Sequence, residues 1–520
     1  MALIAGFLKD VYVWSGILAA LIIVVVTSLF SEVADEFFYK GVPIVGKENG
    51  EVTNKKAKMR FLMSARSLIK QGFDQGYSRF QIMATFRPVI VLHPKYMEEL
   101  KSHPDLSFEE AMNKAFFGGK YPGFDVFAPI DHENILLDVV RGNLTQALNS
   151  LAIPLSKETA ASLEGTFPPS KEWKQYIFAQ QVPLLVARIS SLAFLGTRIC
   201  RNKDWLNVSV NYTIDSFNAV RVLRLWPPFL RPIVHWFLPE VQKLRDHLRV
   251  ARHIVQDEVE QRKLIREGKI PEPEPPRTHP DVLDWFRETA AGRPFDYALG
   301  QVALSLAAIH TTSYLLTSVM YDLTANPEFI DALREEIRKV LQEDGGIQKS
   351  SLSKMKLLDS VLKETLRLNP TGMTVLHRVA TRNITLSDGA VLPKGATVVV
   401  SGHSMRDAAI YEDPETWDGY RFLRLREQPG SEHRYQLVTT SNQDLGFGCG
   451  THVCAGRFFA ANEIKIILIH LLLKYDWKFE KEDQDRPPSI DIGTEMMANP
   501  MVSMLFKSRE PGIDLASLGL

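Results

Sequence analysis

Cys454 sits in a turn dense with groups that could do chemistry: Phe447-Gly448-Cys449-Gly450-Thr451-His452-Val453-Cys454-Ala455-Gly456-Arg457. Gly446, Gly448 and Gly450 let the backbone take positive φ and approach a planar ligand closely. The apolar run from Phe458 to Ile469 reads as a buried helix, which puts Cys454 at a helix N-terminus. Free backbone N–H groups and the positive end of the dipole favour a thiolate there, and a thiolate ligates a soft metal. Two plainer readings stand beside this one. Cys454 is a small buried cysteine in a tight turn, or Cys449 and Cys454 form half of a zinc site. Zinc fingers, however, space cysteines two to four apart and need a second Cys or His pair in register, which this sequence does not supply.

Two more groupings carry charge or hydroxyls. In Val361–Pro370, Glu364 and Arg367 share one helix face at i, i+3, and the helix must end before Pro370. An exposed pair of this kind is commonplace and contributes little. A long helix starting near Asp296 contains Ala307-Ala308-Ile309-His310-Thr311-Thr312, although Thr is a poor interior residue for a helix. His310 either moves protons or is a packed core histidine.

The elements that must hold these groups are mostly helical. Short strands are expected at Phe80–Met83, Pro88–Leu92, Val375–Ala380 and Ala396–Ser401, with a helix beginning near Pro94. Helical periodicity runs from His132 through Leu148, and mostly helical sequence continues to Arg266, broken at Trp226-Pro227-Pro228. The run Pro271–Pro276 reads as a surface linker. The aromatic, Gly-rich stretch Phe116–Phe124 is either a plain surface loop or part of a pocket.

Phe447-x-x-Gly450-x-His452-x-Cys454-x-Gly456, near the end of a 520-residue chain, resembles the haem-binding loop of the cytochrome P-450 monooxygenases. The resemblance implies haem b with Cys454 as axial thiolate on iron, Phe447 beside the sulfur and His452 reaching a propionate. Gly450 and Gly456 would turn the loop under the porphyrin, with Gly448 a third glycine of the cofactor site. In the family's Trp-x-x-x-Arg, Leu137 takes the place of Trp while Arg141 keeps the Arg that would pair with a propionate, and Arg378 matches a second propionate contact. Glu364-x-x-Arg367 would be completed by Arg421 into a buried structural triad. The family's kinked central helix, Ala/Gly-Gly-x-Asp/Glu-Thr-Thr/Ser, aligns with Ala307–Thr312. Thr311 becomes the hydroxyl that relays protons, with Thr312 and His310 beside it. Ala308 stands for Gly and His310 for the acid, so the proton-delivery partner is left open. Thr371–Val375 and Met496–Met501 would line the substrate cavity.

The implied fold is mainly α with a small β-sheet, preceded by one N-terminal transmembrane helix. Val11–Phe30 is about 20 residues without a charge, the length that crosses a hydrocarbon core, whereas a cleaved signal peptide has a shorter apolar run. Lys40, Lys47, Lys55, Lys56, Lys58 and Arg60 follow it, against Lys9 before, which puts the body of the protein on the cytosolic side. The expected division is an anchor at 1–31, a linker at 32–60 and a catalytic domain at 61–520. With Lys+Arg and Asp+Glu equal at 61 each, there is no basic field for nucleic acid, and three cysteines make a disulfide framework implausible.

The resemblance further implies an endoplasmic reticulum enzyme that uses O2 and electrons from NADPH through a P-450 reductase. Phe458–Ile466 and the Ala307–Thr312 variant look like fungal members of secondary-metabolite pathways, similar to the ent-kaurene oxidase group. That suggests an apolar, terpenoid or otherwise polycyclic small-molecule substrate. Two rivals are a haem-thiolate isomerase that needs no O2, motivated by the missing acid at His310, and a non-catalytic membrane-anchored metal-binding protein.

Overall fold

The computed structural model describes residues 37–128, 134–272, 279–481 and 484–518. The anchor at 1–31, the helix start at His132–Glu133 and residues 273–276 of the proline run lie outside the described residues. The helices that position the site are α1 (Lys55–Asp74), α2 (Phe108–Phe116), α3 (Leu148–Thr166), α4 (Phe178–Leu195), α5 (Lys203–Arg224), α6 (Pro239–Arg266), α7 (Tyr297–Ala325), α8 (Lys356–Leu368) and α9 (Arg457–Lys474).

α7 is the axis of the molecule. Asp296 caps it, accepting from the Leu299 N–H at 3.0 Å, so the helix starts where its first free N–H groups find an oxygen. It is apolar around its circumference, and a helix of that kind must lie inside. α4, α5, α6 and α8 pack against it, and α9 runs beneath, buried on every face. α4 and α7 are long and apolar enough to cross a membrane, yet most of each is buried in the protein core. The expected kink is not present: α7 runs unbroken through Ala307–Thr312.

A six-stranded sheet flanks the helices. Its strands are β1 (Ile44–Val45), β2 (Arg79–Met83), β3 (Pro88–Leu92), β4 (Leu106–Ser107), β5 (Thr374–Ala380) and β6 (Thr397–Ser401), in the order β1-β2-β3-β6-β5-β4. β3 pairs in parallel with β6, Val89 opposite Thr397, and β6 pairs antiparallel with β5. Between Val375 and Arg378 the β5–β6 register slips, and Leu376 within the slip takes φ +57°. A second sheet joins Lys174–Ile177, Tyr475–Phe479 and Ser503–Ser508.

One expectation needs correction, and one open alternative is narrowed. The segment 32–60 is not wholly linker: β1 pairs Ile44 with Gln81, and α1 begins at Lys55, so a boundary at 60 would cut a helix whose buried residues include Ala57. The Phe116–Phe124 stretch is not a plain surface loop, because Phe117, Tyr121 and Phe124 are buried in the main core and the Tyr212 hydroxyl donates to the Gly123 carbonyl at 2.7 Å.

Candidate active site

The Cys loop is shaped by three main-chain hydrogen bonds: Gly448 N–H to Leu445 O, Val453 N–H to Gly450 O, and Cys454 N–H to Phe447 O at 2.9 Å. Gly450 has φ +70°, and a Cβ there would lie 2.3 Å from the Lys101 carbonyl oxygen, so only glycine fits. Gly446 differs from expectation. It has no positive φ; its need is for room, since a Cβ would strike the Leu366 side chain. Gly456 has φ −86°, a conformation open to any residue, so its main chain does not call for glycine's left-handed freedom.

Cys454 is accessible on the wall of a cavity of about 350 Å³. Burial pushes the thiol up, and the Gly456 and Arg457 N–H groups and the Arg457 guanidinium oppose this less strongly. Its own N–H is spent on Phe447. Cys449 is set differently, half-buried with its Sγ 3.1 Å from Met97 Sδ and packed against the sheet-side core.

The cavity is lined by Phe108 and Met112 of α2, by Leu137 and Arg141, by Val375 to Arg378 of β5, and by the Cys loop, including Gly448, Cys449, His452 and Cys454. Arg141 stands on a five-residue π-turn, Val140–Leu144, and donates to the Thr451 carbonyl at 3.2 Å. Phe108 bridges the basic groups: the His452 ring packs on it at 5.5 Å and the Arg378 guanidinium lies over it at 5.1 Å. Burial lowers the Arg378 pKa to about 10 and lowers that of His452, which also feels Arg378 and Arg141. Among the described residues, none of these three has a carboxylate partner within ion-pair distance. Phe447 is half-buried against the core beside Ala455 and Phe458.

On α7, Ala307 and Thr311 are accessible at i, i+4 while Ile309 and Thr312 are buried, so one face of the central helix opens to a space inside the protein. The Thr311 hydroxyl donates back to the Ala307 carbonyl at 2.8 Å. Thr312 lies on the buried side, at 3% exposure. His310 Nε2 lies 2.8 Å from the Val210 carbonyl of α5, and burial lowers its pKa, so the ring is a neutral tether between two helices. Neither Thr311 nor His310 is part of the wall around Cys454.

The profile of the family described as Cytochrome P450 matches residues 82–502. The chain belongs to the cytochrome P450 family. Its relatives include the cytochrome P450 monooxygenase hepE of Aspergillus oryzae, 44% identical over 433 residues, 82% of this chain and 79% of the relative. Two more are ntnM of a Nectria species, 38% identical over 499 residues (96% and 94%), and ptmU of Penicillium ochrochloron, 38% identical over 477 residues (91% and 93%); both are named as cytochrome P450 monooxygenases. This P450 is a monooxygenase, and its cofactor is haem, with iron held by a cysteine thiolate.

The residues fit that group. A dianionic macrocycle edge would satisfy Arg141, Arg378 and His452, and the apolar wall of Phe108, Met112, Leu137, Val375 and Val453 suits a flat ring. Among the described residues no three His, Cys, Asp or Glu cluster to hold a metal ion, so a single sulfur would serve only a metal that brings its other ligands with it. The half zinc site of Cys449 and Cys454 therefore has no completing ligands among the described residues.

Glu364, Arg367 and Arg421 come together, but not as an exposed pair. Glu364 is fully buried and accepts from Arg367 Nη2 and Nε at 2.8 Å each and from Arg421 Nε at 3.0 Å. Arg367 also donates to the Met405 and Pro414 carbonyls, and Asp418 N–H donates to Glu364, so every charge is hydrogen-bonded. Two residues escaped the sequence reading. His377 lines the cavity because of the β5 register slip, for which the sequence holds no local signal. Glu495, on the hairpin strand Glu495–Met497 bridged to Gly372, is accessible yet deep enough that burial raises its pKa, with Arg221 of α5 the charge it feels.

Proposed function

We propose that Cys454, rather than Cys449, is the axial ligand of haem iron in this P450, and that Arg141, Arg378 and His452 hold the haem carboxylates. The observation that carries this reading is the pairing, in one cavity, of an accessible thiol with basic side chains that lack carboxylate partners among the described residues. When bound, haem supplies activation of O2 for insertion of one oxygen atom into a substrate C–H bond.

The chain's own residues then have distinct tasks. Arg141, Arg378 and His452 orient the flat group and offset its negative edge. The packed core around α7 and α9 excludes water from the reacting face. Thr311 holds a proton at Oγ1, now donated within its own helix, and turns it toward the accessible face to pass it on. His310, held neutral against Val210, keeps α5 over α7 and leaves proton delivery to Thr311 and water.

The substrate is an apolar, terpenoid or other polycyclic secondary metabolite. Val375 of the Thr371–Val375 segment lines the cavity, and Met373 and Met496 of the Met496–Met501 segment share one buried apolar cluster with Tyr314 packed against it, which supports an apolar substrate. Electrons come from NADPH through a P450 reductase, and an N-terminal span holds the enzyme on the endoplasmic reticulum with its catalytic domain in the cytosol. The basic residues after Val11–Phe30 support that orientation.

The test is the carbon monoxide difference spectrum of the dithionite-reduced protein beside Cys454→Ser and Cys449→Ser. A red-shifted band kept in Cys449→Ser and absent in Cys454→Ser is the expected result. The band surviving in Cys454→Ser would overturn the ligand assignment. Product formed only with NADPH, reductase and O2 tests the electron path.

A further inference from the structure

His377 stands on the cavity wall, and neither the Cys loop nor the ion triad accounts for it. Along a regular strand alternate side chains face opposite ways, so Leu376 and Arg378 would share one face and His377 the other. The slip between Val375 and Arg378 breaks that rule. With Leu376 at φ +57°, Val375, Leu376, His377 and Arg378 all line the same cavity. A left-handed conformation is unfavourable for a bulky residue, and strands keep such bulges where they re-aim a side chain.

The ring is held from one edge. His377 Nε2 lies 3.3 Å from both the Thr374 hydroxyl and the Thr374 carbonyl oxygen, on its own strand. Nδ1 forms no hydrogen bond among the described residues. The neighbouring charge is Arg378, whose Nη1 donates to the His377 carbonyl at 2.7 Å; burial, with Arg378 beside it, lowers the His377 pKa, so a neutral ring and a guanidinium follow one another along the wall with no carboxylate paired to either among the described residues. A wall of this kind is complementary to a carboxylate that enters with a ligand.

We propose that His377 is a further anion-binding residue of the cofactor pocket, its neutral ring donating from Nδ1–H to a haem carboxylate while Nε2 accepts from the Thr374 hydroxyl. The inference rests on the haem reading above. It assigns a task to the strained Leu376, whose backbone turns the imidazole inward.

The test is the rate at which holoenzyme loses its cofactor to excess apomyoglobin, followed at the Soret band. Holoenzyme is assembled either with iron protoporphyrin IX or with its dimethyl ester, which lacks the carboxylate charge. His377→Ala should speed loss of the native cofactor about ten-fold, the scale of one charge-assisted hydrogen bond, and leave loss of the ester unchanged. His377→Asn, which keeps a donor, should restore most of the difference. Equal acceleration with both cofactors would mean that His377 only shapes the strand, and no acceleration with the native cofactor would mean no contact; either overturns the proposal. A wild-type protein that forms no Soret band with either cofactor would instead overturn the haem reading itself.

Discussion

The Thr365 hydroxyl donates to Asp322 Oδ2 at 2.7 Å, tying the helix of the ion triad to the central helix. Asp322 is fully buried and its other oxygen is taken by Arg486, while Trp417 Nε1 donates to Thr365 Oγ1 at 3.0 Å. Burial raises the Asp322 pKa, and Arg486 and Thr365 oppose that shift. Because Glu364 precedes Thr365 on α8 and accepts from the N–H of Asp418, the neighbour of Trp417, the scaffold of the ion triad and the central helix share one polar network.

Thr365→Val keeps the shape and removes the donor. It should cost about 1–3 kcal/mol through an under-satisfied Asp322, seen as a lower midpoint of thermal unfolding with the spectrum of the remaining folded protein unchanged.

Glu364→Gln leaves two buried guanidinium groups without their carboxylate. The cost of breaking a buried pair is about 3–5 kcal/mol, which is a large share of the stability of any domain. Expression should yield little holoprotein, read as the amount of haem per protein. An undiminished yield would show that the carbonyl partners of Arg367 and Arg421 suffice.

Thr311→Ala should leave the carbon monoxide band in place and lower product formed per NADPH consumed by about 100-fold, the scale of a lost proton relay. Thr311→Ser should retain most of it. Thr312→Ala, on the buried face, should alter unfolding temperature more than coupling.

His470 of α9 is buried with Nε2 2.9 Å from the Ser156 hydroxyl of α3, and burial lowers its pKa to about 3. The unfolded chain binds a proton near pH 6.5 that the folded chain refuses. Its contribution is therefore fully present above pH 6.5 and is lost as pH falls toward 3, by about 2 kcal/mol at pH 5. Urea unfolding at pH 8 and pH 5 should show that decline, and His470→Gln should flatten it.

Gly450→Ala should abolish haem incorporation, because both its φ and the Lys101 carbonyl forbid a side chain. Gly456→Ala should leave the protein soluble and folded. Comparison of soluble yield and Soret absorbance for the two variants separates these outcomes.

Much of this was legible from sequence where the signal was local. The end of α8 before Pro370, the start of α7 at Asp296, and β2, β3, β5 and β6 follow from caps, proline and apolar runs. The Glu364–Arg367 spacing was legible as a pair, and Arg421 only through the family's order. The burial that turns this pair from a surface ornament into a scaffold depends on elements far away in sequence. The surroundings of the Cys454 sulfur were legible only in part for the same reason: the helix terminus is local, whereas the protein packed around the sulfur is not. The slip at Leu376 leaves no mark in Val375–Arg378, and the second sheet pairs Tyr176 with Met504, more than 300 residues on.

The parallel pairing of β3 with β6 has a consequence for how the protein is made. Val89 must wait for Thr397, so during synthesis the hairpin of β2 and β3 leaves the ribosome with an open edge while roughly three hundred residues are still to be added. β5, which carries the basic wall of the cavity, is locked only when β6 has emerged, and the Cys loop comes later still. The pocket therefore gathers only after β6 and the Cys loop have both been made, late in the order of the described chain. A shortage of haem would leave a nearly completed but unfilled fold open to the cell's proteases.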